Sequence, residues 1–303
     1  MKRRDFVRRT TLATAGLACS GTSHLLSQPG SIQFGYAAIT WQGQDRQAID
    51  DVSSVGFKGI QLRTSTLPEF GDKPAALKEL LASRGLTMVA FSSGNVRIDP
   101  QFEAEDIATH LKHARFVRDV GGLYLQLTDT RPKRALVAAD YQRLGNLLTE
   151  IGKRAADLGI PVAYHNHMNN IGERPEEVDR VLDATDPRYV KLLLDIAHYQ
   201  QGGGDPVRAV RRYADRILFL HIKDVQSPFN PAPGNTGDPM RSYRFVEIGR
   251  GKVDVKGVFA ALAEVKFKGW AIVELDSVPD KARTPRESAI IARQYLQQLG
   301  FSV

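Results

Sequence analysis

Several short apolar runs in this sequence end in histidine or acidic side chains, which are the residue types that bind divalent cations. The run Val190–Leu194 ends at Asp195, and His198 follows three residues later. A carboxylate buried at the end of such a run needs a partner, because an unpaired buried charge is costly. Three other runs end in the same way, and the metal-capable residues that follow them are His165 and His167, His221 and Asp224, and Glu274 and Asp276. The pattern predicts a metal centre.

The elements around these residues alternate between strand-like and helix-like segments. The predicted strands are Ile32–Thr40, Gly59–Arg63, Leu86–Ser92, Leu123–Leu127, Pro161–Tyr164, Val190–Leu194, Ile217–Ile222 and Trp270–Leu275. Near-continuous apolar strands are typical of a parallel sheet covered by helices on both faces. Eight such units, without a glycine-rich phosphate loop after the first strand, favour one (β/α)8 TIM barrel over residues 31–303 rather than an open doubly wound sheet.

Closure of the barrel would gather the carboxyl ends of all eight strands on one face. The predicted metal ligands there are His165, Asp195, His221 and Glu274. Two imidazoles and two carboxylates suit one Mn²⁺, Zn²⁺, Co²⁺ or Fe²⁺ ion. His165 and His167 point the same way on a strand, so either of them could be the ligand. His167 and His198 are expected to orient ligands or to contact substrate.

Further polar residues at predicted strand ends suggest a site for a hydroxylated ligand. The predicted substrate-binding residues are Trp41, Gln61, Arg63, Ser92, Gln126, Lys223 and Arg250. Trp41 would form a flat apolar wall, and the cationic side chains could bind an anionic group. Gln61 and Gln126 could instead fill the barrel interior, and Arg250 could form a surface salt bridge. The long segment Val225–Gly251 is expected to be a wall or lid over the site.

Residues 1–30 read as an export signal. A basic start precedes the short apolar stretch Thr11–Ser20, which is too short to span a bilayer. Arg3 and Arg4 lie in a segment that resembles the twin-arginine motif, so we expect export by that machinery to the periplasm. Cys19 ends a Gly-Leu-Ala-Cys sequence that resembles a lipoprotein cleavage box, which leaves a lipid anchor as an alternative. As the single cysteine, it excludes an internal disulfide.

The basic balance of the chain is not evidence for nucleic-acid binding. The formal net charge of the 303 residues is +7, but the leader alone carries five basic residues and one acidic residue. The remainder is therefore only mildly basic, and no basic patch stands out. The expected partner is a small-molecule carbohydrate, with no nucleic acid.

The segments GFKGIQLR, YHNHM, LLLDIAHY, FLHIKD and AIVELD together resemble the xylose isomerase-like barrel superfamily, in particular its sugar phosphate isomerase/epimerase branch. The resemblance implies a divalent metal held by His165, Asp195, His221 and Glu274. The ketose epimerases carry a glutamate where this chain has His165, and that glutamate and the one matching Glu274 form their proton-transfer pair. Many relatives also carry a glutamate where this chain has Gln61. The resemblance therefore implies that metal binding is preserved but that epimerisation by two carboxylate bases is not, although a histidine that the metal does not fully engage can still transfer a proton.

The function predicted first is that of a metal-dependent sugar isomerase or epimerase. It would act through an enediolate on a non-phosphorylated sugar, inositol or keto-glycoside, since sugar phosphates are not expected outside the cytoplasm. The predicted catalytic residues are Glu274, as ligand and base, and His167 and His198. A keto-sugar lyase or dehydratase shares the first proton-abstraction step and is the leading alternative. The others are a non-catalytic exported sugar-binding barrel and, much less favoured, the three-metal nuclease branch, because no histidine ends the first four strands.

Overall fold

Eight parallel strands close into a barrel in the computed structural model, which describes residues 32–227 and 242–303. The predicted export signal, Cys19 and residues 228–241 lie outside the described residues. The barrel order is β1-β10-β7-β6-β5-β4-β3-β2. The strands of the described part are β1 (Ile32–Ala37), β2 (Gly59–Arg63), β3 (Thr87–Val96), β4 (Tyr124–Asp129), β5 (Val162–His165), β6 (Val190–Asp195), β7 (Ile217–Ile222), β8 (Asp224–Gln226), β9 (Arg244–Val246) and β10 (Gly269–Val273). The predicted TIM barrel is confirmed.

Helices follow the barrel strands and cover the outside of the barrel. In the described part they are α1 (Asp45–Val55), α2 (Leu67–Phe70), α3 (Pro74–Ser83), α4 (Glu103–Val120), α5 (Ala138–Ala156), α6 (Pro175–Asp183), α7 (Ile196–Gln201), α8 (Pro206–Arg212), α9 (Val255–Glu264) and α10 (Pro285–Gln298). The predicted capping box of α10 is present, because Thr284 and Glu287 accept each other's backbone N–H. Among the described helices, none has the length and apolar character needed to cross a membrane.

The inside of the barrel is filled by a compact apolar cluster. Its residues are Ala37, Val89, Ala90, Ala163, Leu193, Phe219, Trp270 and Ile272. Gly59 leaves room for the indole of Trp270, since a Cβ atom there would clash with the ring. The larger apolar core lies between the strands and the helices.

The alternation of side chains along each strand places the four predicted ligands directly above this cluster. Each ligand comes two residues after an inward-facing apolar residue, so it points to the same side of the sheet. These pairs are Ala163 and His165, Leu193 and Asp195, Phe219 and His221, and Ile272 and Glu274. The apolar filling thus forms the floor of a polar chamber at the carboxyl ends of the strands.

The segment after β7 is more regular than the sequence indicated. Instead of an irregular loop, its described part contains the antiparallel pair β8–β9. The buried carboxylate of Asp224 accepts hydrogen bonds from the backbone N–H groups of Gly249, Gly251 and Val253 at 2.8–3.0 Å. These bonds fix the end of the segment against the barrel and bring Phe245 of β9 over the site.

Candidate metal centre

His165, Asp195, His221 and Glu274 converge on one point at the carboxyl end of the barrel. One ligand-capable atom of each residue lies within 4.8 Å of those of the other three. Asp195 and His221 are register partners across β6 and β7. All four side chains are buried. Barrel closure therefore gathers residues that are spread over more than 100 positions of the sequence, as the strand pattern predicted.

Three of these side chains direct a buried atom without a hydrogen-bond partner toward the common point. The atoms are Nε2 of His165, Oδ2 of Asp195 and Nδ1 of His221. The two nitrogens lie 3.6 and 3.5 Å from Asp195 Oδ2, and His221 Nδ1 lies 3.4 Å from Glu274 Oε1. Buried polar atoms are normally hydrogen-bonded, so three unpaired atoms facing one another need a common partner. Mixed nitrogen and oxygen donors at these distances fit one divalent ion.

The two carboxylate oxygens of Asp195 have separate tasks. Oδ1 accepts hydrogen bonds from the backbone N–H groups of Ala197 and His198, both at 2.9 Å, and so caps α7. Oδ2 is left to face the centre. The buried side chain of Asn166 holds the backbone of Asp195, accepting from its N–H at 2.9 Å and donating to its carbonyl at 3.1 Å. Asp195 is therefore fixed from both ends.

Two buried glutamines connect the outer nitrogens of the two histidines. His221 Nε2 lies 2.8 Å from Gln61 Oε1, and Gln61 Nε2 donates to Gln126 Oε1 at 2.8 Å. Gln126 Nε2 lies 2.8 Å from His165 Nδ1. Neither the substrate-binding nor the barrel-filling interpretation of these glutamines anticipated that they position the histidine rings.

The charge distribution in the centre is that of an anionic site. Burial alone would lower the pKa of His221, but the charge of Glu274 and the contact with Asp195 raise it to about 9. Burial disfavours the ionised form of Glu274, yet His221 and Lys223 hold the pKa of this carboxyl well below its usual range. Burial lowers the pKa of His165 to about 4, so this ring is neutral. Without an ion, His221 thus carries a compensating positive charge.

Lys223 is a fully buried cation beside the centre. Its Nζ donates to Glu274 Oε1 at 3.0 Å and to Asp276 Oδ1 at 2.6 Å, and it lies 4.0 Å from the ring centroid of Phe245. Burial opposes the charge, but Asp276 and Glu274 outweigh it and raise the pKa of Lys223. Lys223 is therefore a permanent positive charge next to a predicted ligand.

The rings of His167 and His198 contact each other in a tilted arrangement beside the ligands, with ring centroids 3.8 Å apart. His167 Nδ1–H donates to the carbonyl of Met168 at 2.7 Å, which leaves a lone pair on Nε2 of the neutral ring. Burial and the charge of Lys223 both lower the pKa of His167. His198 is buried behind it and accepts from the backbone N–H of Met168.

A cavity of about 240 Å³ opens above the centre. Its volume suits a monosaccharide-sized ligand rather than a larger one. The polar residues of its wall are Gln61, Arg63, Ser92, Asn95, Gln126, Thr128, His165, His167, Asn170, Glu274 and Asp276. A ligand in this cavity would meet donors and acceptors on most of its faces.

Residues 49–298, which make up most of the chain, match the protein family described as "Xylose isomerase-like TIM barrel". The chain belongs to this family. Its similar proteins include the inosose dehydratase of Lacticaseibacillus casei, which is 29% identical over 296 residues, covering 88% of this chain and 96% of the relative. The Geobacillus kaustophilus inosose dehydratase is 27% identical over 295 residues, covering 88% of this chain and 94% of the relative.

Solved structures share the fold of this family member at lower sequence identity. The crystal structure of IolI protein with a bound zinc atom has a TM-score of 0.73 at 19% identity and covers 89% of this chain and 100% of its own. The probable 3-DHS dehydratase AsbF from Bacillus anthracis has a TM-score of 0.70 at 17% identity, covering 88% and 98%. A sugar phosphate isomerase/epimerase from Parabacteroides distasonis has a TM-score of 0.65 at 18% identity, covering 95% and 98%.

Four residues that were predicted to contact substrate lie outside the cavity wall. A short 3-10 turn, Ala38–Trp41, ends β1 early and turns the indole of Trp41 into the core, where its Nε1 donates to Asp51 at 2.8 Å. Arg250 lies 3.8 Å from Glu247 in a separate surface depression. His198 is behind Lys223 and His167 rather than in the cavity wall. Lys223 is fully buried against Glu274 and Asp276 and does not line the cavity. The role of a flat wall for Trp41 and that of an anion ligand for Arg250 and Lys223 are therefore corrected.

Several cavity and supporting residues were not predicted from the sequence. They are Asn95, Thr128, Asn166 and Asn170. Asn166 lies within the predicted motif YHNHM, between the two histidines, so its position was a usable signal. Asn95 became part of the site because β3 continues to Val96, four residues beyond its predicted end.

Metal binding at neutral pH should release about one proton per ion, because His221 must lose its proton before Nδ1 can ligate. The affinity for Zn²⁺ should accordingly fall by about tenfold for each unit by which the pH drops below 9. Calorimetric titration with Zn²⁺ at pH 7 in buffers of different ionisation enthalpy measures this proton directly. His113→Gln, which alters a buried histidine outside the centre, should release the same number. Binding without proton release would contradict the proposed charge on His221.

Proposed function

We propose that the protein is a metal-dependent dehydratase that eliminates water from a small, non-phosphorylated keto-polyol such as an inosose. The observation that carries the proposal is the set of three unpartnered buried donor atoms in the four-residue centre, beneath a cavity of monosaccharide size. The relatives named inosose dehydratase, which align with nearly their whole length, support elimination over the isomerisation that we predicted first.

The metal would be held by His165, Asp195, His221 and Glu274. When bound there, a divalent ion polarises a substrate carbonyl and makes the neighbouring C–H more acidic. The chemistry that remains for the protein is to remove that proton and to let the hydroxyl group on the next carbon leave. Atoms balance when the base takes the carbon proton and then returns a proton to the departing hydroxyl group, which leaves as water.

His167 is the best-placed base in the described part of the chain. Its tautomer is fixed by the carbonyl of Met168, so Nε2 presents a lone pair in the cavity wall. A neutral imidazole is the form that accepts a proton. Glu274, by contrast, has one carboxylate oxygen engaged by Lys223 and facing His221, which suits a ligand better than a base.

Lys223 supplies the positive charge that the reaction needs. Removal of the carbon proton leaves negative charge on the substrate, and the buried ammonium group next to Glu274 stabilises that charge through the low-dielectric interior. Asp276 and Glu274 hold Lys223 in place at 2.6 and 3.0 Å, so little reorganisation is needed during the reaction. Arg63, the cationic side chain of the cavity wall, would help to orient the substrate.

Incubating the Zn²⁺-loaded protein with a panel of inososes and other neutral keto-polyols in deuterated water tests this proposal. The expected result is a product that has lost one water, detected by mass spectrometry, and no product with protein stripped of metal. Deuterium uptake into a product of unchanged composition would overturn elimination in favour of isomerisation. Sugar that is bound but returned unchanged, without deuterium, would instead indicate a binding protein.

A further inference from the structure

The two glutamines beside the centre form a row of hydrogen bonds between the outer nitrogens of His221 and His165. The row consists of three contacts, each 2.8 Å long, and all four side chains are buried. Within the described residues, neither glutamine amide forms a hydrogen bond outside this row. Each amide is thus oriented by its neighbours in the row.

In such a row, every hydrogen bond must point from donor to acceptor in the same direction along the row. A primary amide donates through its nitrogen and accepts through its oxygen, so two amides in series pass the direction along. In the observed arrangement His221 Nε2–H donates to Gln61, Gln61 donates to Gln126, and Gln126 donates to Nδ1 of His165. Turning both amides over reverses the direction and exchanges the roles of the two histidines.

The direction of the hydrogen bonds decides which ring nitrogens of the two histidines carry protons and which can bind a metal. A neutral imidazole carries one N–H, so a histidine that accepts a hydrogen bond at its outer nitrogen carries its proton on the inner one. A nitrogen that carries a proton has no lone pair for a metal. The row keeps a proton of His221 on Nε2, so Nδ1 is the nitrogen of this ring that can be freed for a metal, whereas Nε2 of His165 is protonated.

We propose that Gln61 and Gln126 form a switch that opens when both histidines ligate the same ion. His165 then moves its proton to Nδ1, and Gln126 turns its amide to accept from it. The amide nitrogens of Gln61 and Gln126 would face each other where a hydrogen bond now stands, so that bond is broken. This inference deepens the proposed function and rests on it, since it requires a metal in the centre.

Breaking the hydrogen bond between Gln61 and Gln126 also frees an amide N–H donor for the substrate. Both glutamines line the cavity, so the amide nitrogen that loses its acceptor becomes a free hydrogen-bond donor in the cavity wall. An oxygen of a keto-polyol is the acceptor that this donor would find. Gln61 and Gln126 therefore act as positioning residues that favour substrate binding after the metal.

A double-mutant cycle on Zn²⁺ affinity tests the switch. The variants are Gln61→Met, Gln126→Met and the double substitution, with dissociation constants measured by competition against a chromogenic chelator. The two amides share a favourable hydrogen bond without metal, but their nitrogens face each other unfavourably when metal is bound. The double variant should therefore bind Zn²⁺ about tenfold more weakly than expected if the effects of the two single substitutions on the dissociation constant were independent. Agreement with that product, or tighter binding, would overturn the switch.

Gln126→Glu provides an independent result in the opposite direction. A carboxylate only accepts, so it can accept from Gln61 and from His165 Nδ1–H together, and no bond is broken when both histidines ligate. We expect about tenfold tighter Zn²⁺ binding. Asn95→Asp adds the same charge to the cavity wall outside the row and sets the electrostatic baseline. An equal gain from Asn95→Asp would remove the support for the switch.

The tautomers themselves are visible by nitrogen NMR of labelled histidine. On addition of Zn²⁺ to the wild-type protein, the proton of His165 should move from Nε2 to Nδ1, whereas His221 keeps its Nε2–H. Zn²⁺ binding with both tautomers unchanged would overturn the switch but leave the proposed function standing. A wild-type protein that binds no Zn²⁺ would overturn both.

Discussion

Asp195→Asn is expected to abolish stable metal binding while leaving the fold intact. The asparagine oxygen can still accept from the N–H groups of Ala197 and His198, so α7 keeps its cap. Its NH₂ group takes the place of Oδ2, the unpartnered oxygen in the centre, and an amide nitrogen is not a metal ligand. We expect the Zn²⁺ affinity to fall by more than the ~100-fold that loss of an outer-shell contact costs. Chelator competition and thermal unfolding measure the two effects separately.

The chain offers a matched control for this substitution. Asp205 caps α8 in the same way, accepting from the backbone N–H groups of Val207 and Arg208 at 2.9 and 3.1 Å, but it lies on the surface. Asp205→Asn should leave metal affinity unchanged. An Asp195→Asn protein that binds Zn²⁺ as tightly as the Asp205→Asn protein would show that the four residues are not the metal ligands.

Lys223→Met is expected to separate turnover from metal binding. Methionine fills a similar volume but removes the buried charge beside Glu274, so the rate of elimination should fall by about 10²- to 10³-fold. Removing a cation that lies 3.0 Å from a ligand oxygen reduces repulsion toward an incoming ion, so Zn²⁺ affinity should not fall. Turnover on an inosose and the dissociation constant for Zn²⁺ are the two measurements.

Lys191→Met is the control for loss of a lysine charge. Lys191 lies near the start of β6, where its Nζ contacts the backbone carbonyl of Asp215 at 3.4 Å. This substitution should leave both turnover and metal affinity unchanged. Wild-type turnover in the Lys223→Met protein would refute an electrostatic role for Lys223 in the reaction.

The metal centre was predictable because it depends on strand alternation and strand ends alone. Leu193 faces the barrel interior, so Asp195 must face it too, and the same holds for Phe219 and His221. Closure of eight strands then brings the four ends together, whatever the details of the loops. No long-range packing information was needed.

The parts that the sequence did not reveal depend on contacts across the barrel or on loop geometry. The hydrogen bond between Gln61 and Gln126 joins residues 65 positions apart through the register of β2, β3 and β4. Trp41 ends a run that looks extended, but a 3-10 turn redirects its side chain into the core. The β8–β9 pair forms within a segment rich in proline and glycine, which carries no clear strand pattern.

The sequence alone could not distinguish isomerisation from elimination, and the reason is chemical. Both reactions begin with removal of a proton next to a carbonyl, so both need the same ligands and the same base. His165 in place of a second carboxylate counts against a two-carboxylate mechanism. The inosose dehydratase relatives are what favours elimination here.

The metal content of the purified wild-type protein tests the central claim most directly. After dialysis against metal-free buffer and reconstitution with Zn²⁺, elemental analysis should find about one ion per chain in the wild type and almost none in Asp195→Asn. A wild-type protein that retains no ion, or an Asp195→Asn protein that retains as much as the wild type, would contradict the account.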